Sequence, residues 1–577
     1  MFNIYKKIGW FIKQEWKTYL LMFTLLTLIA LLALTPAYVL GIAIDVIVSK
    51  SLNWTSFAFL ITALILIPVA RYLSSYFYNY TVNKTSQKLA FTFRKNYLKK
   101  LFDMDAEFYE KYQKGDLISR ATADLDMITV AATSMIEGMI FNIGMILIAI
   151  SIMAITISWE LTLISVTIMP IGITILNIIR MKKREYVKKH RVIYAAMTEK
   201  ILESVEGQKT IRAYVQEEND LKEQKRVIVN DIESWRYIIN YENRLAPMFE
   251  SVYAIAYILA FVFGALFIMQ QQMTVGQLVI FISYIGILYG PIISISGVFQ
   301  QINNATVAVD RFDEIMKTEP DVKDDEIPDH ILDFKEIEFR DVTFKYPFDE
   351  QPTINQINLT VKKGQTIGVV GPTGSGKSTL IRQLLREFNV TSGHIYIDGK
   401  NIKKYKIEDI RKIVGYVPQS HMLFRRGVDD NILIGNPQAT IDQLNRAIKI
   451  ADFEKDIHYL NAGLQTKVGE GGATLSGGQK QRLSIARALV KEPEILILDD
   501  SLSAVDANTE ETILEQLKKF RTGKTNIIVA HRFSAIRDAD LIIVMDQGKI
   551  IERGTHEELT KIDGWYKTQY IQQMSMK

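Results

Sequence analysis

A chain of 577 residues is too long for one domain, so two or more are expected. A mean hydropathy of +0.08 beside 23% charged residues fits a chain that is part membrane-embedded and part soluble. With no cysteine, disulfides, thiolate metal sites and a cysteine nucleophile are excluded; the seven histidines show no metal-ligand spacing, and a net charge of +4 is too weak to argue for nucleic acid.

The opening Met1-Phe-Asn-Ile-Tyr-Lys-Lys7 has no small-residue cleavage site before its apolar run, and no removable signal peptide is expected. Apolar runs follow at Tyr19–Ile44, Phe57–Tyr80, Met135–Ile157, Leu161–Ile179 and Phe249–Met269, and a last one starts near Gly276 and passes Gly290-Pro291. At ~1.5 Å per residue such runs can cross a hydrocarbon core of ~30 Å. Six crossings put both ends of the chain on one side. Lys84, Lys88, Arg94, Lys95, Lys99 and Lys100 follow the second run, and the basic stretch Met181–Arg191 follows the fourth. The short connections on the other side carry only Lys50. An excess of Lys and Arg marks the cytoplasmic side, so the long basic segments and both termini are expected there.

Those segments keep an apolar period near 3.6, as in Leu89–Leu98, so the membrane helices are expected to continue into the cytosol. Two irregular patches interrupt them, Phe108–Asp116 and Glu206–Tyr214. Their mix of aromatics, glycine and charge suits short docking helices, with a solvated helical turn as the alternative. Arg71 lies well inside the second run, where an ion is costly in lipid. It is expected to face the bundle interior or a wet cavity, in a pairing role or in contact with substrate. Glu137 and Glu250 fall near the cytoplasmic ends of the third and fifth runs, at headgroup level. Gly290-Pro291 should kink the sixth helix. The acidic, proline-bearing stretch Lys317–Asp329 reads as a linker. The expected organisation is a transmembrane domain over 1–318, a linker over 319–336 and a soluble domain over 337–577.

In that last part, Gly371-Pro-Thr-Gly-Ser-Gly-Lys-Ser-Thr379 follows the strand-like Thr366–Val370 and opens a helix-like run. That is the context of a phosphate-binding P-loop. Glycines let backbone N–H groups turn inward to phosphate oxygens, and the following helix adds its positive end. Lys377 would reach the β- and γ-phosphates and Ser378 would hold Mg²⁺. The full spacing and both flanks disfavour a glycine-rich turn with a chance lysine. The apolar Ile495–Leu498 ends in Asp499 and Asp500, and a carboxylate there is where such enzymes hold Mg²⁺. Leu475-Ser-Gly-Gly-Gln479 opens another helix and forms a second anion-binding terminus. Two phosphate-reading elements in one chain make sense if one of them serves another molecule.

This LSGGQ run, with the P-loop and ILILDD, resembles the ATP-binding cassette family. The whole chain resembles a half-transporter of the bacterial ABC exporter type. The resemblance implies an α-helical transmembrane bundle of six long helices (the type IV, or ABC exporter, fold) fused to an α/β P-loop cassette. It places the chain in the cytoplasmic membrane as a multi-pass protein with the cassette in the cytoplasm. It implies ATP and Mg²⁺ as cofactors, with ATP held by Gly371, Gly374, Ser375, Gly376, Lys377, Ser378 and Thr379 and its adenine stacked on Tyr346. By the same resemblance Ser378, Gln419 and Asp499 hold the metal, Asp506 is the D-loop aspartate and His531 is the switch histidine on the γ-phosphate. Cassettes of the family pair head to tail, so Ser476, Gly477, Gly478 and Gln479 would face the ATP of a second half-transporter. The two irregular patches resemble the family's coupling helices.

One position departs from the pattern. The residue after the Mg²⁺ aspartate is usually glutamate, the base that polarises the attacking water, and here it is Asp500. With LSGGQ intact, this resembles one subunit of heterodimeric bacterial multidrug exporters, whose partner carries the glutamate. The expected function is ATP-driven export of amphipathic drugs or lipids, with membrane lipids around it and no nucleic-acid partner. The alternatives are a homodimeric lipid flippase or peptide exporter, or an ATP-binding membrane sensor with little turnover.

Overall fold

The computed structural model describes residues 2–347, 349–469, 475–503 and 505–575, without the side chains of 2–7, 134–137, 139, 296, 299 and 300. The chain forms two compact units, Met1–Lys100 with Gly115–Lys317, and Leu101–Lys114 with Thr318–Lys577.

Helices make up the first unit. Among the described residues, five are long and apolar enough to cross a membrane: Trp16–Val48, Trp54–Phe102, Trp159–Glu206, Glu217–Met269 and Val275–Ile295. Several far exceed a bilayer: Glu217–Met269 has 53 residues, and Ile168–Glu206 has 39. The third expected crossing is different. It alternates α-helix at Leu125–Met135 and Asn142–Ile152 with π-helix at Ile136–Phe141 and Met153–Ile157. Its apolar helical piece, Asn142–Ile157, is shorter than the other five. Each π turn takes up an extra residue, which interrupts the 3.6 period that makes a run legible as one helix. The side chain of Glu137 lies outside the described residues, and Glu250 is exposed.

The core of this unit gathers Leu34, Ala149, Leu161, Ala256, Phe281 and Tyr284 among others. In the absence of a hydrophobic force between helices in lipid, small residues set how closely they pack. A Cβ on Gly276 would lie 2.1 Å from the Gly41 carbonyl oxygen, so only glycine fits where the Val275–Lys317 helix crosses Trp16–Val48. Asp45 ties the same crossing: Oδ1 accepts from Gly276 N at 2.7 Å and Oδ2 from Thr274 Oγ1 at 2.7 Å. The helix Val275–Lys317 runs unbroken through Pro291.

Residues 116–124 and the far end of Val275–Lys317 meet through ions. Arg120, only 6% exposed, donates Nε to Asp116 at 2.8 Å and Nη1 to Glu314 at 2.9 Å. Arg311 pairs with Asp124 at 3.0 Å and also donates to Asp116. Burial pushes Asp116 up, but Arg311 and Arg120 together hold it below the ordinary carboxylate value. The second irregular patch forms a short helix, Gln208–Ala213, that buries no residue and leaves Tyr214 and Val215 exposed.

The second unit contains two sheets. The strands are β1 (Glu336–Phe344), β2 (Ile354–Lys362), β3 (Thr366–Val370), β4 (Ser392–Ile397), β5 (Lys400–Asn401), β6 (Val414–Val417), β7 (Ile495–Asp499), β8 (Thr525–Val529), β9 (Leu541–Asp546) and β10 (Lys549–Gly554). An antiparallel sheet has the order β2-β1-β4-β5, and the larger sheet has the order β10-β9-β3-β8-β7-β6. Every neighbour pair of the larger sheet is parallel except β10 with β9. Its middle strands bury both faces, and Ile495–Leu498 and Val369–Val370 are accordingly apolar throughout. The P-loop leaves the carboxyl end of β3, and Asp499 ends β7, so both lie where open parallel sheets bind ligands.

Residues 319–336, expected as a linker, lie against this unit. Ile331 and Phe334 enter its core, and Arg386 Nη2 donates to the Lys323 carbonyl at 2.9 Å. Leu101–Lys114 also belongs here. Asp105 caps the helix Ala106–Lys111 by accepting from Phe108 N at 3.1 Å, while its other oxygen accepts from Asp321 N at 2.6 Å and Val322 N at 3.0 Å. Tyr109 and Glu110 from that helix share a groove with Arg382, Glu387 and Arg411. Of the two readings of the first irregular patch, the docking one holds for Phe108–Lys111.

Candidate nucleotide-binding site

The loop between β3 and the helix Lys377–Leu384 is set by three glycines with positive φ: Gly371 at 148°, Gly374 at 83° and Gly376 at 96°. A Cβ on Gly371 would lie 2.0 Å from the Met545 carbonyl oxygen, so both backbone angle and space require glycine there. The loop wraps Lys377, whose Nζ donates to the carbonyls of Gly371 at 2.9 Å and Pro372 at 2.8 Å. Burial pushes this ammonium below its ordinary pKa, against the pull of Asp500 and Asp499. Ser375 and Thr379 are buried in the same turn.

Ser378 donates Oγ to Asp499 Oδ1 at 2.9 Å, which joins the P-loop helix to the end of β7. Tyr416 OH donates to the other oxygen of Asp499 at 3.2 Å. Burial holds the Asp499 carboxyl above its ordinary value, partly offset by these two hydroxyls. A hydroxyl and a carboxylate, both hard oxygen donors, are what Mg²⁺ takes together with phosphate oxygens. A desolvated lysine whose bonds run to two carbonyls and, at 3.5 Å, to the Ser375 hydroxyl, with no carboxylate among them, suits an anion. The residues present therefore fit a Mg²⁺-bound triphosphate.

Asp500 follows with φ of 48°, its N–H donating to the Val529 carbonyl at 3.1 Å. Gln419 Nε2 donates to Asp500 Oδ2 at 3.4 Å, bringing the loop after β6 to the same place. Tyr346 is half-buried, and its hydroxyl meets Thr379 Oγ1 at 3.1 Å and accepts from Arg382 Nη1 at 3.2 Å. The ring thus borders the P-loop helix, edge-on to Phe388.

The remaining expected residues stand apart. Ser476 caps the helix Gly477–Leu489 in a capping box with Gln479: Gln479 N donates to Ser476 Oγ at 3.3 Å and Ser476 N to Gln479 Oε1 at 2.9 Å. Gln479 and Arg482 reach Asp456, the latter by two bonds of 2.6 and 2.8 Å. Ser476 and Gly477 are exposed and Gly478 half-buried. No hydrogen bond joins this turn to the P-loop among the described residues. Asp506 caps Ala507–Phe520 through Thr509, whose backbone N–H holds its carboxyl below the ordinary value. His531 is exposed, and its carbonyl accepts from Gln573 at 2.6 Å. Its neighbour Arg532 donates to Glu510 at 2.9 Å and to the Val505 carbonyl at 3.1 Å, linking the His531 and Asp506 segments.

Sequence reading missed two residues here. Tyr416 meets Asp499 because β6 and β7 pair in parallel, with Tyr416 opposite Ile497. His421 is half-buried beside the same loop, its Nδ1 without a partner among the described residues. Burial and Arg487 lower its pKa while Asp500 raises it. No spacing rule in the sequence reaches either residue.

Comparison with known proteins agrees with this geometry. The ABC transporter transmembrane region family matches residues 19–292, and the ABC transporter family matches residues 354–503. The chain is 37% identical over 573 residues to YheI of Bacillus subtilis (strain 168), a probable multidrug resistance ABC transporter ATP-binding/permease protein, covering 99% of this chain and 98% of that one. It is 32% identical over 508 residues to an ATP-dependent lipid A-core flippase of Pseudomonas fluorescens (strain Pf0-1), covering 87% and 83%. The structure of a bacterial Atm1-family ABC exporter with ATP bound has the same fold, with a TM-score of 0.83, 24% identity and coverage of 97% of this chain and 99% of that one. One transmembrane region, one P-loop ATPase unit and near full-length relatives together make this chain a member of the ABC transporter family, of the exporter type.

Proposed function

We propose that this chain is one half of an ATP-driven exporter of amphipathic drugs or lipids and that it works beside a second, different half-transporter carrying glutamate at the position of Asp500. Asp500 beside an intact Ser476–Gln479 turn is the observation that carries this reading. The names of the relatives, multidrug resistance and lipid flippase, support the substrate class. The positive-inside pattern supports a bacterial cytoplasmic membrane with both termini and the cassette in the cytoplasm.

In this reading Lys377 exchanges its bonds to Gly371 and Pro372 for phosphate oxygens, and the P-loop N–H groups take up the rest of the charge. Ser378, Asp499 and Gln419 would hold Mg²⁺, which would supply charge neutralisation at the β- and γ-phosphates. Tyr346 gives up its contact with Thr379 to lie on the adenine. Asp500 accepts a proton from the attacking water, and His531 donates to the γ-phosphate. The carboxyl of aspartate stops short of the water by one methylene, so this P-loop serves a slow site. Ser476, Gly477, Gly478 and Gln479 complete the fast site on the P-loop of the second chain, and Asp506 lies at the same joint.

The test is ATP hydrolysis by the purified chain alone and with a co-purified second chain. Slow turnover alone, restored by a partner bearing the glutamate, is expected. The 32% identity to a lipid A-core flippase favours a second reading, a homodimeric lipid flippase. Brisk substrate-stimulated hydrolysis by the chain alone would establish that reading instead.

A further inference from the structure

The helix Trp565–Ser575 has had no part in the site so far, yet it reaches the segment that carries His531. Its first turn is fixed by Glu552, whose carboxylate oxygens accept from Trp565 N and, at 3.2 Å, from Tyr566 N. A Cβ on Gly564 would lie 2.4 Å from the same carboxylate, so this close approach requires glycine. Tyr566 is buried and meets the Phe533 ring edge-on at 4.8 Å, and Tyr570 meets it at 5.9 Å. Positions 566, 570 and 573 share one helix face, which brings Gln573 to the same segment.

There a single amide holds two backbone groups. Gln573 Nε2 donates to the His531 carbonyl at 2.6 Å, and its Oε1 accepts from Phe533 N at 3.2 Å. Which end is nitrogen is forced, since a carbonyl takes only a donor and an N–H only an acceptor. The amide pairs with the chain as a neighbouring strand would, just past the end of β8, where Ala530 N still donates to the Val369 carbonyl. Arg532, between the two bonds, turns the other way and is anchored on Glu510 and the Val505 carbonyl. The peptide groups around His531 are thus set from both sides. Its imidazole is exposed and makes no hydrogen bond among the described residues, so its own backbone decides where it can reach. We propose that Gln573 is a positioning residue: it holds the His531 backbone so that the imidazole reaches the γ-phosphate of ATP on this chain's P-loop. The proposal rests on the role given to His531 above and adds the group that aims it. Gln573 acts through His531 and not on the phosphate itself.

Gln573→Met keeps the length and the helix propensity but neither bond. Gln573→Glu keeps the acceptor, while its second oxygen faces the His531 carbonyl with no proton to give. The readouts are single-turnover phosphate release and binding of a fluorescent ATP analogue. Both are measured on the full transporter in nanodiscs, with the glutamate of any co-purified second chain changed to glutamine. A misplacement of about 1 Å costs on the order of 10²-fold in rate, and a loosened imidazole should cost part of that, about tenfold in each Gln573 variant. The analogue should bind within about twofold of its affinity for the unchanged chain, because Gln573 acts on placement and not on binding. His531→Ala should lose at least as much rate. Gln573→Met added to His531→Ala should lose nothing further, since no imidazole remains to aim. Thermal unfolding establishes that each variant is folded. An unchanged rate in either Gln573 variant, beside a loss in His531→Ala, overturns the proposal and leaves the role of His531 standing. Losses that multiply in the double variant also overturn it, as does analogue binding that falls along with the rate, because either marks general damage to the site. Full rate in His531→Ala removes the role of His531 itself, and the proposal with it.

Discussion

Replacing Asp500 by glutamate tests whether reach limits hydrolysis at this chain's own P-loop. The backbone of Asp500 is pinned: its N–H donates to the Val529 carbonyl at 3.1 Å and its φ is 48°. The carboxyl cannot follow a distant water by sliding the strand end, so side-chain length decides where it stops. One methylene moves it by about 1–1.5 Å, and a misplacement of about 1 Å is worth on the order of 10²-fold in rate. That is ~2.7 kcal/mol of barrier. A positive φ opposes the change, because aspartate is enriched several-fold over glutamate in the left-handed region. The strain bears on ground state and transition state alike, so it appears as lost stability rather than as lost rate. Asp500→Glu should therefore raise hydrolysis at this site between about tenfold and a hundredfold, while slightly lowering the melting temperature. The assay is steady-state ATPase of the assembled transporter whose second chain has its own glutamate changed to glutamine. An unchanged rate would refute the reasoning and shift attention to the placement of Gln419 or His421.

Three further outcomes are expected. Gly478→Asp puts a negative charge where the second chain's triphosphate lies and should abolish most transport-coupled hydrolysis, whereas Asp500→Asn, which removes an ill-placed base, should lose far less; equal losses in ATPase and drug efflux would mean equivalent sites. Burial raises the Asp499 pKa above its ordinary value, so protons compete with Mg²⁺ there at a higher pH than at an exposed aspartate: Mg²⁺-dependent binding of a fluorescent ATP analogue should weaken as pH falls through that raised value, and in Asp499→Asn it should be weak and flat. Gly276→Ala sets a methyl 2.1 Å from the Gly41 carbonyl and should lower stability by about 1–3 kcal/mol, read as a fall in melting temperature in detergent; no shift would mean that the helices part freely at this crossing.

Much of the nucleotide site was legible in sequence because its geometry is local. Gly371, Gly374, Gly376 and Lys377 act within one turn, and Ser476 and Gln479 cap each other across a single helix start. Tyr416 was not legible: it reaches Asp499 across 83 residues through the register of two parallel strands, which no spacing records. The long membrane helices were legible from apolar runs alone, the third among them, but the π turns inside that third run were not, since an apolar run records no local change of helical period. Residues 319–336 looked like a linker because prolines and acids dominate, yet Ile331 and Phe334 are enough to bind that stretch to a core. For Arg71 the sequence left a bundle interior and a wet cavity open, and the structure lines a cavity with it.

The second unit is assembled from two pieces far apart in the chain, Leu101–Lys114 and Thr318–Lys577, and this has a consequence in time. The ribosome finishes the helix Ala106–Lys111 long before it reaches Arg382 and Arg411, whose groove that helix shares. At about 5–20 residues per second, the roughly three hundred residues between them take some 15–60 s to make. Through that interval Phe108, Tyr109 and Tyr112 have no finished surface to lie on, and a nascent chain displays them to chaperones or to other nascent chains. A stalled or truncated product ending before Thr318 would carry this aromatic cluster permanently uncovered, which makes it a handle for quality control.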